Sequence, residues 1–301
     1  MSQSQSQFVT RSIEAEMGID APVEAVWKAL TDAEELTRWF PLEARVEPGA
    51  GGFVWAYYGE SVEGEERIEI WEPNRHLRLS YRQPSSGEDE AKSNHVAEAY
   101  KQASNQSEQI PQQIATDYFL EGRGGKTWLR LVHSGFGADA VWDNLYEATR
   151  KGWKTQLRGL RHYLERHLGT PRSVAQIQFG FEATSLEEAW RRLMSADGLL
   201  GEGSLEEVRD GDRYEIKTAA GDVLKGVVCS FEPPAQFNSI VENMNDAYLM
   251  IHLDPPLHPG GENRLYVWLS TWGLPESQVT SFRDHLTRIL QKLFPQASIP
   301  N

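Results

Sequence analysis

The chain has 301 residues, 40% apolar and 25% charged, a length and composition that fit about two soluble globular domains of roughly 150 residues each. Its net charge of −14 is shared equally, with 19 basic and 26 acidic residues up to residue 170 and 11 and 18 beyond it. No basic half exists to take nucleic acid or an anionic membrane surface, so neither is an expected partner.

Cys229 is the single cysteine, which excludes an internal disulfide and fits a reducing compartment. It lies in the apolar run VLKGVVCSF and reads as core filler. The start MSQSQSQF has neither a basic nor an apolar leader region, and no 18-residue apolar span occurs, so the expected location is cytoplasmic.

In chain order, RSIEAEMGID puts Ile13, Ala15, Met17 and Ile19 on one face of a strand. DAPVEAVWKAL reads as a helix, with Asp20 able to cap it and Pro22 at an early position. Val23, Val26, Trp27 and Leu30 form its stripe. DAEELTRWF is a second short helix with an acidic first turn, stopped by Pro41. Strands at 42–47, 52–58, 61–71 and 76–82 follow, separated by Gly-rich or Pro-Asn turns, as in an antiparallel meander.

Residues 84–112 are polar, with Val96 and Tyr100 one helical turn apart. They read as a disordered hairpin insertion or as a lid over a cavity mouth. Strands at 113–121 and 126–134, joined by a GRGG turn, lead through SGFG into a helix of roughly 25 residues. Its apolar face carries Trp142, Leu145, Tyr146, Thr149, Trp153, Leu157, Leu160 and Leu164.

The second half repeats this order. SVAQIQFGFEATSLEEAWRRL parallels RSIEAEMGIDAPVEAVWKAL, so that Trp190 answers to Trp27, and CSFEPPAQFNSIVE echoes EIWEPNRHLRLSYR. Strands are expected near 205–209, 212–219, 222–231, 235–242, 246–253 and 263–271, with a final helix over 275–293. The repeat implies an internal duplication with its boundary near Gly169–Arg172.

The ordered set GIDAPVEAVWKALTDAEELTRWFP, IEIWEPNRHLRLSYR and TWLRLVHSGFG…GWKTQLRGLRHYLE resembles the SRPBCC (START-like, helix-grip) superfamily. Within it, the set is similar to the domain related to activators of the heat-shock-protein-90 ATPase. The resemblance covers about 11–167 and implies an α+β fold. Two tandem helix-grip domains are expected, 8–168 and 173–295, each a curved antiparallel sheet wrapped around a long C-terminal helix, with short helices after the first strand. It also implies a central hydrophobic cavity. The second copy keeps the helix opening and the Glu-Pro element but lacks the Gly-Trp pair of the final helix, so the cavity is expected in the first copy. The eukaryotic activators carry a separate N-terminal domain with an Asn- and Trp-rich motif that acts on the chaperone. MSQSQSQFVT passes straight into the first strand, so chaperone stimulation does not carry over.

The candidate cavity residues are Trp39, Phe40, Trp55, Tyr57, Tyr81, His133, Trp142, Tyr146 and Trp153. Strand patterning leaves the inward face open, since a one-residue shift reverses it. Glu65 and Glu69 share one strand face and Glu66 takes the other; an inward carboxyl in an apolar pocket would serve acid–base chemistry. His252, Asp254 and His258 lack a strict ligand spacing, and no metal or cofactor is expected. No nucleophile elbow, P-loop or dinucleotide fingerprint stands out. The expected function is binding of an apolar or aromatic small molecule without catalysis. A cyclase- or aromatase-like enzyme and a chaperone-associated interaction module are the alternatives, and pairing with a second copy of the chain is left open.

Overall fold

The computed structural model describes residues 10–59, 62–81, 95–106, 114–181, 185–257 and 260–299. The chain divides into two compact units, residues 1–168 and 169–301.

In the first unit, β1 (Thr10–Ile19) leads into α1 (Val23–Thr31) and α2 (Ala33–Thr37). The meander β2 (Glu43–Glu47), β3 (Phe53–Gly59), β4 (Val62–Glu72) and β5 (His76–Tyr81) follows. After α3 (His95–Gln106) come β6 (Ala115–Arg123), β7 (Lys126–Gly137) and the long α4 (Asp143–His162). The seven strands form one antiparallel sheet in the order β1-β7-β6-β5-β4-β3-β2, so the first strand pairs with the last. Pro22 rather than Asp20 stands at the start of α1, with no side-chain cap, and Asp20 pairs with Lys126 at 3.3 Å. Asp32 does cap α2, accepting from the Glu35 amide at 3.0 Å. Gly124 and Gly125, both at positive φ, make the tight β6–β7 turn.

The second unit runs β8 (Arg172–Phe181), α5 (Leu186–Leu193), β9 (Arg213–Lys217), β10 (Val223–Glu232), β11 (Gln236–Val241), β12 (Ala247–Asp254), β13 (Asn263–Trp272) and α6 (Glu276–Leu293). Its sheet order is β8-β13-β12-β11-β10-β9. The strand expected at 205–209 is absent. Glu207 sits at φ +62°, a left-handed conformation no strand accommodates, and the segment turns.

The duplication is visible in detail. Each unit carries a register shift at the same place, between Ile68 and Ile70 opposite β5 and between Val228 and Ser230 opposite β11. Each then reaches a Glu-Pro turn. Trp27 of α1 meets Trp71 edge-on at 5.1 Å, and Trp190 of α5 meets Phe231 at 6.0 Å in the matching position. Both units are therefore helix-grip domains, a sheet closed on its long C-terminal helix. Among the described residues no helix is long and apolar enough to cross a membrane.

Candidate functional site

Cross-strand partners share a sheet face. Following the register from Ile13 through His133, Thr116, Leu79, Ile68, Glu66 and Val54 therefore traces the face turned toward α4. Toward the β2 edge and the centre this face is unusually polar and aromatic: Tyr58, Glu66, Tyr81, Thr116, Tyr118 and His133.

The opposing helix is uneven. At its ends Trp142, Leu145, Leu157 and Leu160 are buried, but Tyr146, Thr149, Trp153 and Gln156 in its middle are only partly covered. Phe40, Tyr58, Glu66 and Tyr81 below also keep uncovered surface. Aromatic contacts link the group. Phe40 stacks on Trp39 at 5.1 Å and reaches Tyr58 at 5.0 Å and Trp153 at 6.5 Å; Trp153 meets Tyr118 edge-on at 6.1 Å. At the other end Tyr100 of α3 stacks on Tyr81 at 5.8 Å and approaches Phe136 and Trp142. The middle of the polar insertion is thus helical and packs against this site, while the rest of 84–112 lies outside the described residues.

Two titratable groups stand out. Burial pushes the Glu66 carboxyl up to about 7, and among the described residues it has no hydrogen-bond donor or ion-pair partner. Burial, with the nearby Glu66 charge, also holds the phenols of Tyr58, Tyr81, Tyr100 and Tyr118 above their usual range. Burial lowers His133 to about 4, so its imidazole is neutral near pH 7. The indole Nε1 of Trp153 donates to His133 Nδ1 at 2.8 Å, which leaves the imidazole hydrogen on Nε2.

Of the nine expected residues, Phe40, His133 and Trp153 come together, Tyr81 lies on the same sheet face opposite Glu66, and Trp39 stands behind Phe40, anchored by its Nε1 to the Ala29 carbonyl at 2.8 Å. Trp142 and Tyr146 border one end. Trp142 is fully buried against Gly137, where a Cβ would lie 2.4 Å from its indole nitrogen. Tyr146 leans toward β1, its hydroxyl donating to the Ser12 carbonyl at 3.2 Å. Trp55 and Tyr57 are a correction. They lie on the opposite face of β3, where Arg45 covers the Trp55 ring at 4.1 Å and Glu63 accepts from its Nε1 at 3.0 Å. Large aromatics stand on both faces of FVWAYY; the small neighbours Val54 and Ala56, in step with Tyr58, mark the inner one. Sequence reading passed over Tyr58 and Tyr118, and named Tyr100 only within the insertion that could cover a cavity mouth.

Glu65 and Glu69 are exposed. Cys229 is half-buried at the β10 register shift. His252 pairs with Asn238 at 3.0 Å, and His258 lies outside the described residues. Among the described residues no three His, Cys, Asp or Glu side chains gather as a metal set.

The second unit closes the same space. The registers equate Glu66, Tyr81, Thr116, Tyr118 and His133 with Gly226, Val241, Leu249, Ile251 and Leu269. The four side chains are buried, and a Cβ on Gly226 would lie 2.0 Å from the Ile240 carbonyl oxygen. Tyr214 takes the place of Val54 and is tied to Ser239 at 2.8 Å. Val279, Phe282, Leu286 and Leu290 of α6 are buried without a gap in the stripe.

Residues 20–165 match the family model described as Activator of Hsp90 ATPase homolog 1-like protein. No curated protein matches the sequence. Among solved structures, protein MLL2253 of Mesorhizobium loti is 20% identical over 52% of this chain and 98% of its own, with a TM-score of 0.40. Aha1 of Colwellia psychrerythraea, solved as a dimer in solution, is 16% identical over 52% and 96%, TM-score 0.39. The di-domain ARO/CYC BexL of the BE-7585A biosynthetic pathway is 13% identical over 95% and 96%, TM-score 0.40.

Proposed function

We propose, from the premise that residues 20–165 are a domain of the Activator of Hsp90 ATPase homolog 1-like family, that the protein binds an apolar or aromatic small molecule between the sheet and α4 of its first unit. The observation that carries this reading is the partial cover of Phe40, Tyr58, Tyr81 and Trp153. Such large rings inside a domain are ordinarily packed on all sides, and apolar surfaces with a few convergent polar groups are the usual setting of ligand sites. The second unit acts as an internal control, since its equivalent positions are apolar and closed.

Native mass spectrometry of the freshly purified full chain tests this. A non-covalent small molecule is expected with the parent and should be lost or depleted in Trp153→Ala. A bare parent mass, with nothing released on denaturation, would remove the reading.

One observation favours a second reading, a cyclase- or aromatase-like enzyme. A carboxyl that titrates near neutrality matches the requirement for general acid–base catalysis. Conversion of the co-purified molecule, abolished in Glu66→Gln, would select the enzyme; recovery of the molecule unchanged would select the binding protein.

A further inference from the structure

We propose that the molecule held beside Glu66 carries a basic nitrogen, as a protonated amine on an aromatic or apolar body. The inference rests on the binding reading above and names the chemical class of its ligand.

Glu66 stands directly across from Tyr81 on β5 and Val54 on β3. Among the described residues no lysine, arginine or histidine pairs with it, and nothing donates to its oxygens. A carboxylate only partly open to water and without a partner among the described residues is costly. The protein can answer by keeping the proton or by admitting a cation.

The surroundings favour the cation. Rings of Phe40, Tyr58, Tyr81, Tyr118 and Trp153 gather on this side of the sheet, and ring faces attract cations while offering nothing to an anion. Among the described residues, the groups facing Glu66 carry no competing positive charge. They are the phenols of Tyr58 on β3, Tyr81 on β5, Tyr100 on α3 and Tyr118 on β6, and the neutral His133 stands farther along the same face on β7. The net charge of −14 draws cations toward the protein as well. A hydroxylated or carbonyl ligand would be satisfied by the phenols alone and would leave the carboxyl without a purpose.

The test uses the full chain and three matched probes: 2-(1-naphthyl)ethylamine, 2-(1-naphthyl)ethanol and 1-naphthylacetic acid, titrated by calorimetry. Above the Glu66 pKa of about 7 the amine should bind roughly tenfold or more tightly than the alcohol, the order expected of a desolvated charge pair within an aromatic cage. The gap should narrow as the pH falls and Glu66 takes up its proton. Near neutrality the amine should release a proton on binding, read by repeating the titration in buffers of different ionisation enthalpy. In Glu66→Gln the amine should fall to the level of the alcohol. Equal affinity of amine and alcohol in the parent, or preference for the acid, overturns the amine assignment and leaves the binding reading standing. Failure of all three probes to bind, together with an empty native mass spectrum, overturns both.

Discussion

At the scale of the residue, Glu66 sets the pH behaviour of the first unit. Its folded-state pKa of about 7 lies above the ordinary 4.5. The protonated form is therefore favoured by folding, and the associated stability is complete below about pH 4.5 and lost as the pH rises through 7. That difference corresponds to about 3 kcal/mol. Glu66→Gln should accordingly be more stable than the parent in urea denaturation at pH 8, with the advantage vanishing near pH 4.5; a pH-independent difference would mean that the carboxyl is not buried. His133 works in the opposite direction. Its pKa is depressed to about 4, so its contribution is present above about pH 6.5 and lost as the pH falls toward 4. Trp153→Phe keeps the ring but removes the donor to His133 Nδ1. We expect a loss of about 1–2 kcal/mol and, by nitrogen-15 NMR of the imidazole, a mixture of tautomers in place of one.

At the scale of the element, α2 and the end of α4 are tied through one buried acid. Glu35, 4% exposed, accepts from Arg38 at 2.6 Å, Lys28 at 3.3 Å and the Tyr163 hydroxyl at 2.5 Å. Tyr163→Phe should cost about 1.5–3 kcal/mol, the range for a hydrogen bond to a charged group, and a loss below about 0.5 kcal/mol in urea would show that the tie adds no stability. The helices around this tie were legible because apolar residues recur every three or four positions and Pro and Gly mark the stops. The strands were legible as strands but not by face. Aromatic bulk on both sides of β3 hid Tyr58 behind Trp55 and Tyr57, and the register shift beside Glu69 interrupts the alternation of β4. Tyr100 reaches the site from within a polar insertion, where composition alone signals no packing. Leu205 is buried within a turn and Val208 packs beside it, so two apolar residues among charged ones there imitated a strand.

At the scale of the whole molecule, one architecture carries two different interiors. The first unit places polar and aromatic groups against the middle of its helix, whereas the second fills the same positions with valine, leucine and isoleucine. The pH dependence argued above should therefore be confined to one unit. Amide hydrogen exchange on the full chain, corrected for intrinsic rate, should show altered protection between pH 5 and pH 8 in the strands of residues 53–137 and little change in 172–293. Equal changes in both would place the titrating group elsewhere. The pairing of Ile13 with His133 in one unit, and of Ala175 with Leu269 in the other, bears on biosynthesis. Each opening strand leaves the ribosome about a hundred residues before its neighbour exists. It must wait with an unpaired edge, so both units are expected to fold slowly and to expose that edge while they do.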